Sequence, residues 1–360
     1  MTMRNPNHQL RRGLRLAIAS VLAIAAGKPV LAQSTDPTQT FILEEIVITA
    51  EKREEKLQDV PVAVSAYTDT VRDVVGLRGI EDFAAFTPGL NFASNDRLSI
   101  RGVGRLTNAL GSDPGVATYN DGFYSSSTTE SNKSALFVDR VEFLRGPQGT
   151  LYGRNSMGGA INIISKRPSR SGPESEARAI YGSHDTKNLE ASFSTPITDS
   201  MRVRVAGQSA NRDEGYFEND AGGDKYRQER SFVEAQFEAD LGDRVQWWVK
   251  YSKLTWGETN SDGSLNSVLV DPYFSGAPFP TGSLVPNAQA LASQAGLSNP
   301  SVVDPYKISE NTTASGELDN YHAVVTHLTF DFDSVALKYV GGWQQSLFTL
   351  TNDYDQTSIA

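Results

Sequence analysis

From residue 172 onward, apolar and polar positions alternate at period two in tract after tract. Val233, Ala235, Phe237 and Ala239 alternate with Glu234, Gln236, Glu238 and Asp240. Val245, Trp247, Val249 and Tyr251 alternate with Gln246, Trp248, Lys250 and Ser252, and Val203 and Val205 with Arg202 and Arg204. The pattern continues through residues 323–332 and 335–344. This period puts one set of side chains on each face of a strand. It predicts about seven strands, most longer than the ~5–6 residues usual in soluble proteins. Short turns are expected near 198–200, 241–243 and 331–334, and longer connections near 182–187, 212–229 and 257–318.

Residues 57–171 carry mixed signals and read as a small α+β domain. Asp59 to Tyr67 alternates like a strand. Val71 to Phe86 has helical spacing, with Val74, Leu77, Ile80, Phe83 and Ala84 on one face and a stop at Pro88-Gly89. Short strands are expected at 98–102, 139–144 and 160–165, with long polar loops over 105–134. Upstream, residues 33–44 form a polar tether. The β-branched run Ile46-Val47-Ile48-Thr49 follows, and then the charged run Glu51 to Lys56. A β-prone patch in this setting is either the first strand of the next domain or a strand offered to the sheet edge of another protein.

The first residues change the picture. Arg4, Arg11, Arg12 and Arg15 precede an apolar run, Leu16 to Ala26, too short to span a bilayer. Val30-Leu31-Ala32 then supplies small residues at a cleavage site, so residues 1–32 read as a secretory signal peptide. The 360-residue chain has a net charge of −10, and loss of the signal peptide would make it more acidic, which argues against nucleic acid as a partner. It has no Cys, which excludes disulfide scaffolds, thiolate metal sites and thiol catalysis. For an exported chain, long alternating strands joined by alternately short and long connections predict an outer-membrane β-barrel rather than a soluble sandwich. Trp247, Trp256, Tyr321, Tyr339 and Trp343 toward the strand ends suit membrane interfaces.

One continuous stretch carries a specific signature. Val138-Asp139-Arg140-Val141-Glu142-Phe143-Leu144-Arg145-Gly146-Pro147-Gln148-Gly149-Thr150-Leu151-Tyr152-Gly153-Arg154-Asn155-Ser156-Met157-Gly158-Gly159-Ala160-Ile161-Asn162-Ile163-Ile164-Ser165-Lys166-Arg167-Pro168 resembles the plug-domain motif of TonB-dependent outer-membrane receptors. Leu98 to Gly102 is similar to their second plug motif. Tyr119-Asn120-Asp121-Gly122 resembles their mid-plug Tyr-Val-Asp-Gly segment, with Asn120 in the apolar place. Glu45, Ile46, Val47, Ile48, Thr49 and Ala50 resemble their TonB box. The resemblance covers about residues 44–170.

It implies a signal peptide (1–32), a periplasmic tether with the TonB box (33–56), a plug domain (57–171) and the N-terminal part of a transmembrane β-barrel (172–360). The fold class expected is an α+β plug followed by antiparallel barrel strands, about seven of the roughly 22 that enclose a plug of this size. The chain is accordingly expected to be an N-terminal fragment or a truncated product. Arg101 and Arg145 are implied to pair with barrel-wall glutamates, since a guanidinium grips a carboxylate through two releasable bonds. Gly102, Gly146, Gly149, Gly153, Gly158 and Gly159 are the turn and close-approach glycines of the plug. Thr107, Asn108, Phe123, Tyr124 and Ser126 are the implied ligand-facing plug residues.

The function implied is energised import across the outer membrane. The ligand binds on the outer side, and the TonB box pairs with TonB, driven by its inner-membrane complex. The ligand class is a ferric siderophore first, with vitamin B12, haem or an oligosaccharide as alternatives. A passive porin or a truncated non-transporting product also remain open. A separate N-terminal signalling domain has no room between the cleavage site and the box. No cofactor or resident metal is expected, and an enzyme is not: His322 and His327 fall on opposite faces of one strand, and neither a Gly-x-x-x-x-Gly-Lys-Ser/Thr nor a Gly-x-Ser-x-Gly motif occurs. The remaining partner expected is outer-membrane lipid.

Overall fold

The structure, a computed structural model, describes residues 47–49, 52, 55–77, 79–93, 97–105, 113–125, 128, 133–215, 218–219, 227–260, 307–308, 314–332 and 334–351. The expected signal peptide (1–32) and the polar stretch 33–44 of the tether lie outside them.

Two strands open the described chain, β1 (Val47–Ile48) and β2 (Glu55–Lys56), and they pair antiparallel. The α+β domain follows with β3 (Ala63–Thr68), helices α1 (Asp69–Val75) and α2 (Ile80–Phe86), and a small sheet of β4 (Leu90–Ala93), β5 (Arg97–Ile100) and β6 (Val103–Gly104). Then come β7 (Val116–Asn120), β8 (Phe123–Ser125), β9 (Val138–Arg145), the one-turn helix α3 (Gly149–Tyr152) and β10 (Gly159–Ser165). The central sheet has the order β3-β9-β10-β7-β8, with β10 parallel to β7 and the other pairs antiparallel. One face carries Tyr67, Phe83 and Phe143, whose ring centroids lie 5.2–5.9 Å apart. The other face carries Ile48, Ala117, Tyr119, Leu144, Tyr152 and Ala160.

The single helix expected over 71–86 is two helices. Thr68 caps the first, its hydroxyl accepting from the Val71 amide. Gly76 ends it at φ +80°, a left-handed conformation that a side chain disfavours. The chain therefore turns between Val75 and Ile80, and Val74 is 83% exposed rather than on the core face.

After the connection 166–173, β11 (Glu174–Gly182), β12 (Thr186–Thr198), β13 (Met201–Arg212), β15 (Arg227–Asp240), β16 (Val245–Asn260), β18 (Ala314–Phe332) and β19 (Val335–Thr351) form one antiparallel seven-stranded wall. The short β14 (Glu218–Asn219) and β17 (Lys307–Ile308) pair in parallel outside it. Among the described residues, β11 and β19 pair on one side only. The first long connection expected, near 182–187, is a tight turn in which His184 and Asp185 take φ +57° and +48°.

The sense of the alternation is inverted relative to a soluble sheet. Glu234, Gln236, Glu238, Lys250 and Ser252 are buried on the inner face, where Lys250 meets Asp121 of the α+β domain. Trp247, Tyr251, Leu337, Tyr339 and Trp343 stand exposed on the outer face. An apolar outer band with a polar interior is what hydrocarbon outside and a hydrated filling inside select. Phe137 of the inner domain meets Phe232 of the wall edge to face at 4.7 Å, so an apolar core also crosses the boundary.

Gly158 and Gly159 sit where backbone passes backbone. A Cβ on Gly158 would come to 2.5 Å of the Val103 carbonyl oxygen, and one on Gly159 (φ +154°) to 2.2 Å of the Leu144 oxygen and 2.9 Å of Ile100. Backbone oxygens cannot retreat as a flexible side chain can. Gly159→Ala is therefore expected to cost about 1–3 kcal/mol, as for other overpacked sites, measured as a lower midpoint of thermal unfolding; an unchanged midpoint would contradict this packing.

Candidate functional site: a docked N-terminal strand and a polar domain–wall boundary

The segment read as a TonB box is described at Val47, Ile48 and Thr49; Glu45, Ile46 and Ala50 lie outside the described residues. It has a partner within the chain. Val47 and Ile48 pair with Lys56 and Glu55, members of the charged run that composition alone marks as solvated. Ile48 is fully buried on the face of the sheet formed by Ala117, Tyr119, Leu144, Tyr152 and Ala160. Thr49 is held by a carboxylate 93 residues away. Its amide donates to Glu142 Oε1 at 2.8 Å, and its hydroxyl lies 3.1–3.2 Å from both Glu142 oxygens. Arg140 Nε (2.9 Å) and Asn162 Nδ2 (3.3 Å) complete the shell of this buried carboxylate. The Tyr152 hydroxyl donates to the Thr49 carbonyl at 3.3 Å. Burial, then the neighbouring Glu142 charge, push the Tyr152 phenol up, so it remains a donor.

Tyr124 belongs to the same neighbourhood. Its ring meets Tyr119 at 5.8 Å, its hydroxyl takes a hydrogen bond from Asn155 Nδ2 at 2.8 Å, and Arg154 lies over its ring. Phe123, one residue earlier and so on the opposite face of β8, packs toward Gly342 of β19. The structure thus gives Phe123 and Tyr124 neighbours in the wall and in the dock. Thr107, Asn108 and Ser126 lie outside the described residues.

Arg101 Nη1 lies beside Gly146, the residue that follows Arg145. Arg101 sits at φ +54° ahead of Gly102, a turn that lays its side chain along Gly89. Among the described residues neither arginine makes an ion pair, and Arg145 Nε is buried without a hydrogen-bond partner. Gly146 and Gly153 take positive φ, and Gly149 and Gly153 bracket α3.

Other residues make the ion pairs between domain and wall. Asp121 is fully buried. Its carboxylate takes hydrogen bonds from Lys250 Nζ (2.5 Å) of β16 and from the Ser165 amide (2.8 Å) and hydroxyl (2.9 Å). Burial alone would raise this carboxyl, but the charges of Lys250 and Arg167 and the bonds from Lys250 and Ser165 bring it well below the usual carboxylate range. His327 Nε2 lies 2.6 Å from the Asp121 carbonyl oxygen, and its Nδ1 is 2.9 Å from Arg167, whose guanidinium stacks on Trp248 at 3.7 Å. Elsewhere Arg178 of β11 grips Asp73 by two bonds (2.5 and 2.9 Å), and Lys133 approaches Glu234 at 3.6 Å. Ser134 donates to Glu190 at 2.5 Å, and Arg204 donates to the Leu136 carbonyl at 2.6 Å. Buried Arg72 donates to the Lys133 carbonyl; burial lowers its ionisation to about 10 against the pull of Asp73, Asp69 and Glu190. The connection 166–173 is tied down at the other end of the wall, where Arg170 and Arg202 share Glu238 and Asp240. Asp121 stands in a quoted motif, but its wall partner is 129 residues away, and nothing local announces it.

Residues 56–160 match the family described as the TonB-dependent Receptor Plug Domain. That stretch of the chain is a TonB-dependent receptor plug domain. It is similar to the ferric-pyoverdine 358 receptor of Pseudomonas putida, 29% identical over 219 residues that are 59% of this chain and 25% of that one. It is also similar to the pesticin receptor of Yersinia pestis, 33% identical over 131 residues, 35% of this chain and 19% of that one. The matched region thus spans a quarter or less of these relatives' length. Among solved structures, the ferric-catecholate import receptor Fiu of E. coli K12 superposes on 85% of this chain and 42% of its own, with a TM-score of 0.63 at 20% identity. At that identity the likeness is one of fold: plug and antiparallel barrel strands. The α+β domain is the plug, and the seven-stranded sheet is barrel wall.

Proposed function

We infer that the chain supplies the plug and adjoining wall of an outer-membrane receptor that imports a ferric siderophore, drawing on TonB through residues 45–50. The observation that carries this reading is the N-terminal strand. It is docked by a two-residue pairing, one buried side chain and the bonds of Thr49, inside a wall whose outer face suits lipid. A segment held so lightly is available for strand addition once it leaves its dock, because an extended segment gains main-chain bonds at another protein's sheet edge. The chain's similarity to ferric-pyoverdine receptors supports iron chelates as the ligand class. Arg101 and Arg145, which make no ion pair among the described residues, fit the reading that wall carboxylates outside those residues complete their pairing.

The test is Ile48→Pro in the full-length protein, because proline removes the amide that strand addition uses. Uptake of radioiron-loaded pyoverdine, catecholate and hydroxamate siderophores is the readout. The expected result is loss of uptake for the transported chelate with surface binding retained. Undiminished uptake would overturn the assignment of the box.

A further inference from the structure

Across β16, β18 and β19 the outward-facing residues change from apolar to polar in a single row. Rising from the short turns, Trp247 and Tyr251 of β16 stand beside Leu328 and Val324 of β18, and β19 presents Val335, Leu337, Tyr339 and Trp343. Tyr251, Val324 and Trp343 are in register. The next outward row is Lys253, His322 and Gln345, again in register, and it is polar on all three strands. From Val335 to Trp343 the strand runs about 26 Å at roughly 3.3 Å per residue. At a tilt of about 40° that is about 20 Å of bilayer, near the ~25 Å height of a lipid-facing band. The polar row therefore sits at headgroup height, on the side of the long connections.

Hydrogen bonds join this row to its neighbours. Strand β18 bulges between Asp319 and His322, with Asn320 in the left-handed region at φ +61°. The Tyr251 hydroxyl lies 2.7 Å from His322 Nδ1, and His322 Nε2 lies 2.8 Å from Asn320 Oδ1. An amide oxygen only accepts, so Nε2 donates to it and Nδ1 accepts from the Tyr251 hydroxyl. Both ring nitrogens and the Asn320 oxygen are thus engaged, and the exposed Asn320 offers only its amide hydrogens. Lys253, directly across from His322, makes no ion pair among the described residues. The acidic Glu317 and Asp319 lie farther toward the long connections on β18. What the row offers is an ammonium and an amide donor, a set that fits an anion with several acceptor oxygens.

We propose that Lys253 and Asn320 bind the phosphate of an outer-leaflet lipid headgroup, with Tyr251 and His322 as positioning residues. Charge complementarity selects the occupant. Lys253 is a cation on the lipid-facing surface of a chain of net charge −10, and a charge facing hydrocarbon without a partner is costly. The anions at this height beside the wall are lipid phosphates. The lysine stem lies along the apolar band while its ammonium reaches the headgroups. Tyr251 and Trp343, 39% and 53% exposed one row below, offer aromatic surface to the upper acyl chain. The site is independent of which ligand is imported.

The test is native mass spectrometry of the full-length protein, delipidated in detergent and titrated with phosphatidic acid, with phosphatidylcholine as the zwitterionic comparison and inorganic phosphate as a competitor. The parent is expected to hold one phosphatidic acid in preference to phosphatidylcholine, and inorganic phosphate should not displace it. Lys253→Gln/Asn320→Ala should weaken that binding by about tenfold or more, one decade being roughly the loss of one charge-assisted bond. Lys187→Gln, at an outward lysine that is paired with Asp185, should leave it unchanged. Asn320→Asp keeps the size and left-handed backbone of the residue and sets a negative charge against the phosphate. It carries the test should the double variant lower the thermal midpoint, and it should expel the lipid at an unchanged midpoint. Retained binding in both variants would overturn the site. An equal loss in Lys187→Gln would reduce it to diffuse surface charge, and displacement by inorganic phosphate would make it a site for the free anion rather than for a lipid; either result overturns the proposal.

Discussion

Lys250→Met alone is expected to unseat the plug. Asp121 is fully buried, and its carboxylate keeps only Ser165 and the more distant charge of Arg167 once the ammonium is gone. Removing one partner of a buried ion pair typically costs about 3–5 kcal/mol, because the remaining charge has lost both water and counter-ion. Removing both charges, as in Asp121→Asn/Lys250→Met, is expected to return most of that loss, since an apolar or neutral pair of similar volume needs no compensation. The readout is the thermal midpoint of the detergent-solubilised protein, with trypsin sensitivity of the plug as a second signal. Equal midpoints for the single and double variants would remove the ion pair from the account.

The same pair has a pH signature. A carboxyl whose folded ionisation lies below its unfolded value of 3.8 adds stability at neutral pH, and that contribution is lost as pH falls below the unfolded value. Loss of Lys250 removes a lowering influence and leaves the raising effect of burial, so the folded carboxyl moves back toward or above its unfolded value. The stability deficit of Lys250→Met relative to the parent should therefore be largest near neutral pH and shrink as pH falls toward and below 3.8. A deficit that stays constant with pH would mean that Asp121 draws its stabilisation elsewhere.

Period-two alternation was sufficient to find the wall strands, because each residue's face depends only on its neighbours two positions away. The same logic failed over residues 71–86. Val74, Leu77 and Ile80 keep helical spacing across a break set by one left-handed glycine, so the period runs on where the helix does not. Glu55 and Lys56 sit in a charged run with no strand pattern, yet a strand needs only their backbone to pair with Val47 and Ile48. The plug motif located Glu142, Asp121 and the arginines. Their partners Thr49 and Lys250 are 93 and 129 residues away, and no local pattern encodes a contact made by folding. Phe123 and Tyr124 were grouped as ligand-facing by their place in the motif, yet adjacent residues of a strand point to opposite sides, one to the wall and one to the dock.

Glu142→Gln is expected to release the N-terminal strand without unfolding the plug. The amide has nearly the volume of the carboxylate, so Leu144 and Tyr152 beside Ile48 lose no packing. What goes is the charge that strengthens the bonds from the Thr49 amide and hydroxyl and from Arg140. Hydrogen bonds to a charged group contribute about 1.5–3 kcal/mol each, roughly twice their neutral counterparts. Losing that increment at Thr49 should shift the docked-to-free balance about tenfold, since 1.4 kcal/mol is one decade. Ile48→Cys is the reporter, because its side chain is inaccessible while docked and no other thiol competes. Alkylation of Ile48→Cys should run about tenfold faster in the Glu142→Gln background, while the thermal midpoint changes little. An unchanged alkylation rate would mean that burial of Ile48, rather than Glu142, holds the strand. A rate increase accompanied by a collapsed midpoint would mean that Glu142 serves the fold of the plug through Arg140 and Asn162. Only faster alkylation with the plug intact separates the latch from the structure it rests on.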